Sequence, residues 1–153
     1  MNKKSDIHNR NVKFLKKNLG ISFDAYLQLM TKAGRPIKFG DKWSAENPTA
    51  GRCGSVVNAL RLSGKVPNGY TPCWQKSDDG GTHYYFINKD TNEVIDPTCY
   101  QMDYYIYKDS KTSFLPQVGN NVKQIMKIFN LKIDNNIFEE KIVNNTLIVK
   151  KKT

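Results

Sequence analysis

The chain has 153 residues, a formal net charge of +10 and a hydrophobic fraction of 39%. This length and composition exclude a disordered or fibrous chain and fit one hydrophobic core, so we expect a single domain over residues 1–153. No apolar run approaches the roughly 18 residues of a membrane span, which argues against a membrane partner. The N-terminus lacks the apolar region of a signal peptide, and the three cysteines do not form a disulfide framework. These features predict a cytoplasmic protein.

Local signals predict two helices in the N-terminal segment. Ser5 and Ser22 are the expected N-caps, and Gly20 and Gly34 are the expected ends. The apolar positions that recur at helical spacing are Val12, Leu15 and Leu19 in the first helix and Phe23, Tyr26, Leu27 and Met30 in the second.

Two more helices are predicted further along the chain. Cys53 opens the third, because apolar residues follow it at helical offsets, and Gly64 ends it. These apolar residues are Val56, Val57 and Leu60. The fourth helix lies near the C-terminus and has an apolar stripe of Val122, Ile125, Met126 and Phe129.

Strands are predicted between and after these helices. Residues 83–89 and 94–97 indicate a β-hairpin, and Trp74 marks a shorter strand. An aromatic strand is expected over residues 101–108, and the C-terminal "TLIVKKKT" is expected as an edge strand. This order of elements favours an α+β fold. The chain divides into a helical segment, residues 1–37, a core, residues 42–102, and a C-terminal strand and helix segment, residues 103–153.

Cys53 is the candidate nucleophile because the chain changes there from loop to helix. Unpaired backbone N–H groups and the helix dipole at such a position stabilise a negatively charged sulfur. Gly51 and Gly54 leave room near the sulfur for a carbonyl group. The backbone N–H of Cys53 would point towards an oxyanion formed beside it.

His83 is the only histidine in the central part of the chain, and Asp96 follows it in the second strand of the hairpin. Alternate residues of a strand share a face. A hairpin loop with an even number of residues places Asp96 opposite Tyr85 and diagonal to His83 on the same face, whereas an odd loop sends Asp96 to the other face. A triad of Cys53, His83 and Asp96 therefore requires the even loop.

The segments "KWSAENPTAGRCGSVVNAL", "GGTHYYFIN" and "NEVIDPTCYQM" resemble the small bacterial YunG-like family. The shared features are a Trp and an Asn-Pro ahead of Gly-x-Cys, a His followed by aromatics, and an Asp-x-Thr followed by a Gln. More distantly, the segments are similar to transglutaminase-like and papain-like thiol enzymes. The resemblance covers about residues 42–102. It implies a papain/transglutaminase-like core in which a nucleophile at a helix N-terminus, Cys53, packs on an antiparallel sheet, with His83 as base and Asp96 as the orienting acid.

Further residues are candidates for binding the substrate or its oxyanion. The resemblance to transglutaminases suggests the indole N–H of Trp43, although this residue can instead pack over the helix as an aromatic lid. Asn47 is the other side-chain candidate, and Gly54 adds a backbone contact. Asp78 and Asp79 are alternatives for the acidic partner of the histidine.

Each member of the triad also has a purely structural interpretation. A free cysteine on an apolar helix face is commonly part of a core, a hairpin histidine can bond a backbone carbonyl, and an aspartate before a proline often begins a turn. A zinc site from Cys53, Cys73, Cys99 and His83 has suitable ligand types. Because the cysteine spacing contains no Cys-x-x-Cys pair, neither a metal nor a cofactor is expected.

The preferred function is a thiol hydrolase or acyltransferase that acts on an amide or acyl bond through a thioester, such as a peptidase, amidase or deamidase. A peptide or a protein side-chain amide is the expected substrate. The alternative is a non-catalytic basic protein, of the kind a phage or mobile element encodes, that binds nucleic acid or inhibits a nucleic-acid-processing host complex. The excess charge lies in the flanks, with +7 over residues 1–40 and +4 over residues 117–153. Only four of the 24 cations are Arg, the residue best shaped for phosphate contacts.

Overall fold

The computed structural model describes residues 2–77, 80–101, 106–113 and 118–152. Within these residues lie four α-helices, Lys4–Phe14 (α1), Phe23–Ala33 (α2), Cys53–Leu62 (α3) and Asn120–Ile128 (α4). The strands are Thr71–Lys76 (β1), Thr82–Ile87 (β2), Val94–Ile95 (β3), Lys111–Thr112 (β4), Phe138–Val143 (β5) and Thr146–Lys151 (β6). A π-helical turn, Leu15–Leu19, continues α1, and a 3-10 turn, Cys99–Gln101, follows β3. None of the described helices is long and apolar enough to cross a lipid bilayer.

The strands form two antiparallel sheets, so the fold is α+β, as the sequence predicted. The larger sheet has the strand order β3-β2-β1-β4, and β5 and β6 form a separate two-stranded sheet. The β2–β3 hairpin pairs Phe86 with Ile95 and Ile87 with Val94, and residues 89–92 form its loop. This register confirms the predicted even loop.

Apolar side chains cover both faces of the larger sheet, so the sheet lies between two clusters. The face that packs on α3 belongs to the larger cluster, which includes Phe86 and Ile95 together with residues of every helix and of β5 and β6. The opposite face belongs to a smaller cluster of Ile7, Cys73, Tyr85, Ile87, Val94 and Cys99. By strand alternation, His83 points to this second face.

The first helix differs from its prediction. It begins at Lys4 and has no side-chain cap, so the predicted N-cap at Ser5 is wrong. Its buried positions are Ile7, Asn11, Phe14 and the following Leu15, whereas Val12 and Leu19 are only partly buried. The reason is that α1 lies along β3, and the face turned to that strand carries a polar residue, Asn11, whose amide bonds the strand's backbone.

The other three helices agree with their predictions. Ser22 Oγ accepts the backbone N–H of Ala25 at 3.1 Å and caps α2. Helix α3 begins at Cys53, and its end is closed by a bond of 2.8 Å from Lys65 N–H to the Leu60 carbonyl around Gly64. The buried positions of α4 are Val122, Ile125 and Met126, as its apolar period indicated, whereas Phe129, the fourth predicted position, follows the end of the helix and is partly buried.

The C-terminal part was predicted only in part. Of the strand expected over residues 101–108, Gln101 lies in the 3-10 turn and residues 106–108 form no strand, while residues 102–105 lie outside the described residues. Residues 106–108 are instead bonded by the side chain of Gln75, which replaces a strand partner. The C-terminal strand is β6, and a turn with positive φ at Asn144 and Asn145 joins it to β5, which was not predicted.

Candidate active site

Cys53 is the first residue of α3, and it lies beside an open stretch of the sheet. Strand β3 pairs only with the last two residues of β2, Phe86 and Ile87, so the beginning of β2 has no partner strand on that side among the described residues. The head of α3 occupies this space, and Cys53 Sγ lies 3.7 Å from the Thr82 carbonyl oxygen. The sulfur is partly exposed, unlike the buried Cys73. The nucleophile predicted from the sequence is therefore accessible and not part of the core.

Arg52 anchors this helix start. It is fully buried, and its Nη2 donates to the Gly34 carbonyl at 2.7 Å and to Gln124 Oε1 at 2.9 Å. Gly34 is the residue at which α2 ends, where unpaired carbonyls attract a cation. Burial lowers the pKa of the guanidinium. The head of α3 is thus bonded to α2 and α4, which fixes the position of Cys53.

His83 connects Cys53 to Asp96. Its Nε2–H donates to Asp96 Oδ2 at 2.6 Å, and the Cys53 thiol is close enough to the ring to affect its pKa. Burial acts to lower the pKa of His83, but the Asp96 charge and the hydrogen bonds to Asp96 and Cys53 outweigh it and raise the pKa to about 10. The ring is therefore a cation at neutral pH when Asp96 is ionised.

Asp96 is fully buried and accepts several hydrogen bonds. Besides His83, Oδ2 receives the hydroxyl of Tyr107 at 2.7 Å, and Oδ1 receives the backbone N–H of Thr98 at 3.3 Å. The side chain of Asn11 bonds both backbone groups of Asp96, accepting its N–H at 2.8 Å and donating to its carbonyl at 2.7 Å. The carboxylate is consequently fixed in position and directed at the imidazole.

The loop before Cys53 is shaped by Gly51. Its φ of +73° is in the left-handed region, and a Cβ there would lie 1.9 Å from the carbonyl oxygen of Phe39, so a side chain cannot be accommodated. Its N–H donates to Gln101 Oε1 at 3.0 Å, and Gln101 Nε2 donates to Thr98 Oγ1 at 3.3 Å. Since Thr98 also bonds Asp96, this chain of contacts connects the nucleophile loop to the acid.

The three further candidates occupy different positions. At Gly54, a Cβ would lie 3.3 Å from the ring of Tyr84, so the glycine allows this ring to lie against the helix start. The indole N–H of Trp43 donates to the Pro48 carbonyl at 3.0 Å and closes its own loop instead of pointing at the sulfur. Asn47 forms a tight backbone turn with Ser44, and within the described residues no hydrogen bond joins its side chain to the triad.

The remaining candidates lie away from the sulfur of Cys53 or beyond the described residues. Cys73 and Cys99 are buried in the smaller apolar cluster, and burial raises the pKa of the Cys73 thiol to about 12. In the described ranges, no group of three or more His, Cys, Asp and Glu side chains has the arrangement of a metal site. Asp78 and Asp79, the alternative acids, lie outside the described residues.

Sequence reasoning missed Asn11, Tyr107 and Thr98 as partners of Asp96. Asn11 had a signal, because it lies four residues after Ile7 and three before Phe14 and so interrupts an apolar stripe with an amide. A buried polar side chain needs a partner, which points to a specific contact. For Tyr107 the sequence pointed to a different role, because residues 101–108 were predicted as an aromatic strand, whereas residues 106–108 form no strand.

No protein-family model, no curated protein and no solved structure matches this chain.

Proposed function

We propose that the chain is a thiol hydrolase or acyltransferase in which Cys53, His83 and Asp96 act on an amide or acyl bond. The observation that carries the proposal is the bond of 2.6 Å from His83 Nε2 to Asp96 Oδ2, beside a Cys53 thiol that lies close enough to raise the pKa of the same ring. A partly exposed thiol next to a buried imidazole with an oriented acid is the arrangement that nucleophilic catalysis requires.

The proposed reaction starts from a Cys53 thiolate paired with the His83 imidazolium, in which the proton of the thiol already lies on the ring. The thiolate attacks the carbonyl carbon of the substrate, and the N–H of Cys53 at the helix start stabilises the oxyanion. When the tetrahedral intermediate collapses, the carbon–nitrogen bond breaks and His83 gives its proton to the leaving amine. Water, deprotonated by His83, or a second amine then attacks the thioester and releases the Cys53 thiolate.

The architecture supports the proposal that the core is papain/transglutaminase-like. A helix that begins at the cysteine packs on an antiparallel sheet, and His83 and Asp96 follow in chain order on neighbouring strands. This is the arrangement implied by the resemblance of residues 42–102 to the YunG-like family, and we propose that resemblance as the relationship of this core.

A peptide or a protein side-chain amide is the proposed substrate class. Gly80 lies near the start of the strand that carries His83 and has a φ of +87°. A Cβ at this position would have no other atom within 4 Å, so the space beside the backbone is open. The backbone there leaves room for an extended substrate to approach the histidine strand.

The test measures the reaction of each cysteine with iodoacetamide as a function of pH, by mass spectrometry. We expect Cys53 to react at about pH 6 almost as fast as at pH 8, because the His83 cation stabilises its thiolate, whereas an ordinary thiol loses about tenfold per pH unit. His83→Ala should restore that ordinary decline. Cys73, buried in the same molecule, is the internal control and should be slow throughout.

Acyl chemistry is tested with p-nitrophenyl acetate as the probe. Release of p-nitrophenolate with an acetyl adduct on Cys53 that water then removes supports the proposed function, and Cys53→Ser should lose both. If Cys53 in the wild-type protein follows the pH course of a free thiol and gains no acetyl group, the proposed function is wrong.

A further inference from the structure

We infer that Tyr107 is a positioning residue that holds the Asp96 carboxylate directed at His83, and that Gln75 fixes Tyr107 for this purpose. The inference rests on the proposed function, since it concerns the acid of the proposed triad. Tyr107 is fixed by contacts of its hydroxyl, of its ring and of the backbone on either side of it.

The hydroxyl of Tyr107 donates to Asp96 Oδ2 at 2.7 Å, the same oxygen that receives His83 Nε2 at 2.6 Å. A carboxylate that accepts several hydrogen bonds is stabilised in its ionised form. Asp96 has no exposed surface, so water cannot replace a missing donor. The phenol therefore supplies part of the solvation that the buried charge lost, and it does so without adding a positive charge that would compete with the imidazolium.

The ring of Tyr107 belongs to a row of three rings. Its centroid lies 4.8 Å from that of Tyr85 at an interplanar angle of 64°. Tyr85 in turn stacks on His83, with 5.8 Å between centroids and an angle of 19°. The ring of Tyr85 therefore contacts both rings that bond the same carboxylate oxygen of Asp96. This contact fixes the distance and angle between the imidazole of His83 and the phenol of Tyr107.

Gln75 holds the backbone on both sides of Tyr107. Its Nε2 donates to the Ile106 carbonyl at 2.8 Å, and its Oε1 accepts the Lys108 N–H at 3.0 Å. The same Oε1 receives the hydroxyl of Tyr85 at 2.7 Å. Gln75 is itself buried on β1, where its neighbour in register is His83. A segment without regular secondary structure is in this way fixed to the strand next to the histidine.

Several titratable neighbours of Asp96 and Cys53 have pKa values that burial raises, so they stay neutral over the acid range in which the inference is tested. Burial raises the pKa of Tyr26, Tyr85 and Cys73, which face Asp96 from α2, β2 and β1. The thiol of Cys99 lies on the 3-10 turn below it, and α1 contributes the uncharged amide of Asn11. Near Cys53 the neighbouring phenol is that of Tyr84, whose pKa burial also raises. The raised pKa values keep Tyr26, Tyr84, Tyr85 and Cys73 uncharged between about pH 4.5 and pH 8.

The experiment compares the rate of Cys53 alkylation by iodoacetamide across this pH range in the wild-type protein and in Tyr107→Phe. Without the hydroxyl donor, the Asp96 carboxylate is directed less firmly at His83, so the His83 ring is free to turn away from the Cys53 sulfur and no longer stabilises its thiolate. We expect the rate at about pH 5 to fall by about fivefold or more, while the rate at pH 8 stays within about twofold of wild type. Gln75→Met removes the two bonds from Gln75 to the backbone of Ile106 and Lys108 and keeps a side chain of similar size. It should change the pH profile in the same direction, and it replaces Tyr107→Phe if that variant does not fold.

The matched control is Tyr26→Phe, which removes another buried hydroxyl that donates next to Asp96, to the Pro97 carbonyl at 2.6 Å, without touching the carboxylate. It should lower stability and leave the pH profile unchanged. The inference is overturned if Tyr107→Phe and Gln75→Met both keep the wild-type profile, or if Tyr26→Phe shifts it equally. Failure of the proposed function looks different, because the wild-type profile would then already be that of an ordinary thiol and insensitive to His83→Ala.

Discussion

Asp96 and His83 form a buried charge pair whose cost is offset by specific contacts. The carboxylate has no exposed surface and the imidazole is 4% exposed, so both have lost the hydration that favours their charged forms. Four side chains or backbone groups compensate for this loss at Asp96: the ring of His83, the hydroxyl of Tyr107, and the backbone N–H and hydroxyl of Thr98. These bonds offset the loss of hydration of the buried carboxylate and hold it next to the imidazole.

The raised pKa of His83 predicts how stability depends on pH. Because the folded-state pKa, about 10, lies above the unfolded value near 6.5, the protonated ring contributes stability that is fully present below about pH 6.5 and is lost as the pH rises through about 10. We expect the free energy of urea unfolding of wild type, relative to His83→Gln, to decrease between pH 7 and pH 10. The glutamine amide keeps a donor for Asp96 but cannot be protonated, so it removes the pH-dependent part. A difference that is constant over this range would contradict the charged pair.

Helix α1 completes the edge of the larger sheet. Asn2 accepts the N–H of Val94 at 2.9 Å, Arg10 Nε donates to the Val94 carbonyl at 2.8 Å, and Asn11 bonds both backbone groups of Asp96. These side chains take the place of a further strand beside β3, whose backbone groups would otherwise be left without partners. The N-terminal helix, which lies outside the segment with the family resemblance, thus helps position the acid of the proposed triad.

Asn11→Ala tests this role of α1. The change leaves the buried N–H of Asp96 without its acceptor, whereas the Asp96 carbonyl keeps the backbone N–H of Cys99 at 3.1 Å. One such unpaired group costs about 1–3 kcal/mol, so we expect the free energy of unfolding to fall by about that amount, as measured by urea denaturation. Asn2→Ala is the matched control, because Asn2 makes the same two kinds of bond, to Val94 N–H and the Asn92 carbonyl, nearer the solvent. Asn2→Ala should lower the free energy of unfolding by less than about 1 kcal/mol. Equal losses in both variants would contradict a special role for the bonds from Asn11 to the Asp96 backbone.

Prediction from the sequence succeeded where short-range features determine an element. Helices α2 and α3 have a serine cap or a glycine end and a clear apolar period, and the parity of the β2–β3 loop gave the face of Asp96. Prediction failed where contacts with distant parts of the chain determine the local structure. The backbone around Tyr107 is held by the side chain of Gln75. The inward face of α1 is determined by the backbone at the end of β3, where Asn11 accepts the N–H of Asp96. Trp43 was assigned by analogy, and its N–H is used within its own loop.

The molecule as a whole combines basic flanks, residues 1–40 and 117–153, with a nearly neutral centre that holds the proposed triad. The cations are mostly Lys and are spread over both ends of the chain, whereas the row from Cys53 to Asp96 is largely buried. Salt screens exposed charges strongly and buried pairs weakly. The two hypotheses, a thiol enzyme and a basic protein that binds nucleic acid, therefore differ in their dependence on salt.

Under the thiol-enzyme proposal, the alkylation rate of Cys53 should change less than about twofold between about 50 and 200 mM salt, and Cys53→Ala should abolish function. Under the alternative, binding to duplex DNA should weaken by orders of magnitude over the same range, and Cys53→Ala should have no effect on it. Both can be measured on the same preparation, by mass spectrometry and by fluorescence anisotropy with a labelled duplex. A tenfold loss of Cys53 reactivity over this range would mean that surface charges activate the thiol.

The amide of Asn11, the sulfur of Cys53 and the phenol of Tyr107 come from distant parts of the chain and meet at the pair of His83 and Asp96. A ribosome-bound fragment that ends before Tyr107 has the thiol without its full set of neighbours. In the proposed enzyme, activation of the sulfur is therefore coupled to completion of the fold, and its reactivity towards an electrophile would report when synthesis and folding of this region are finished.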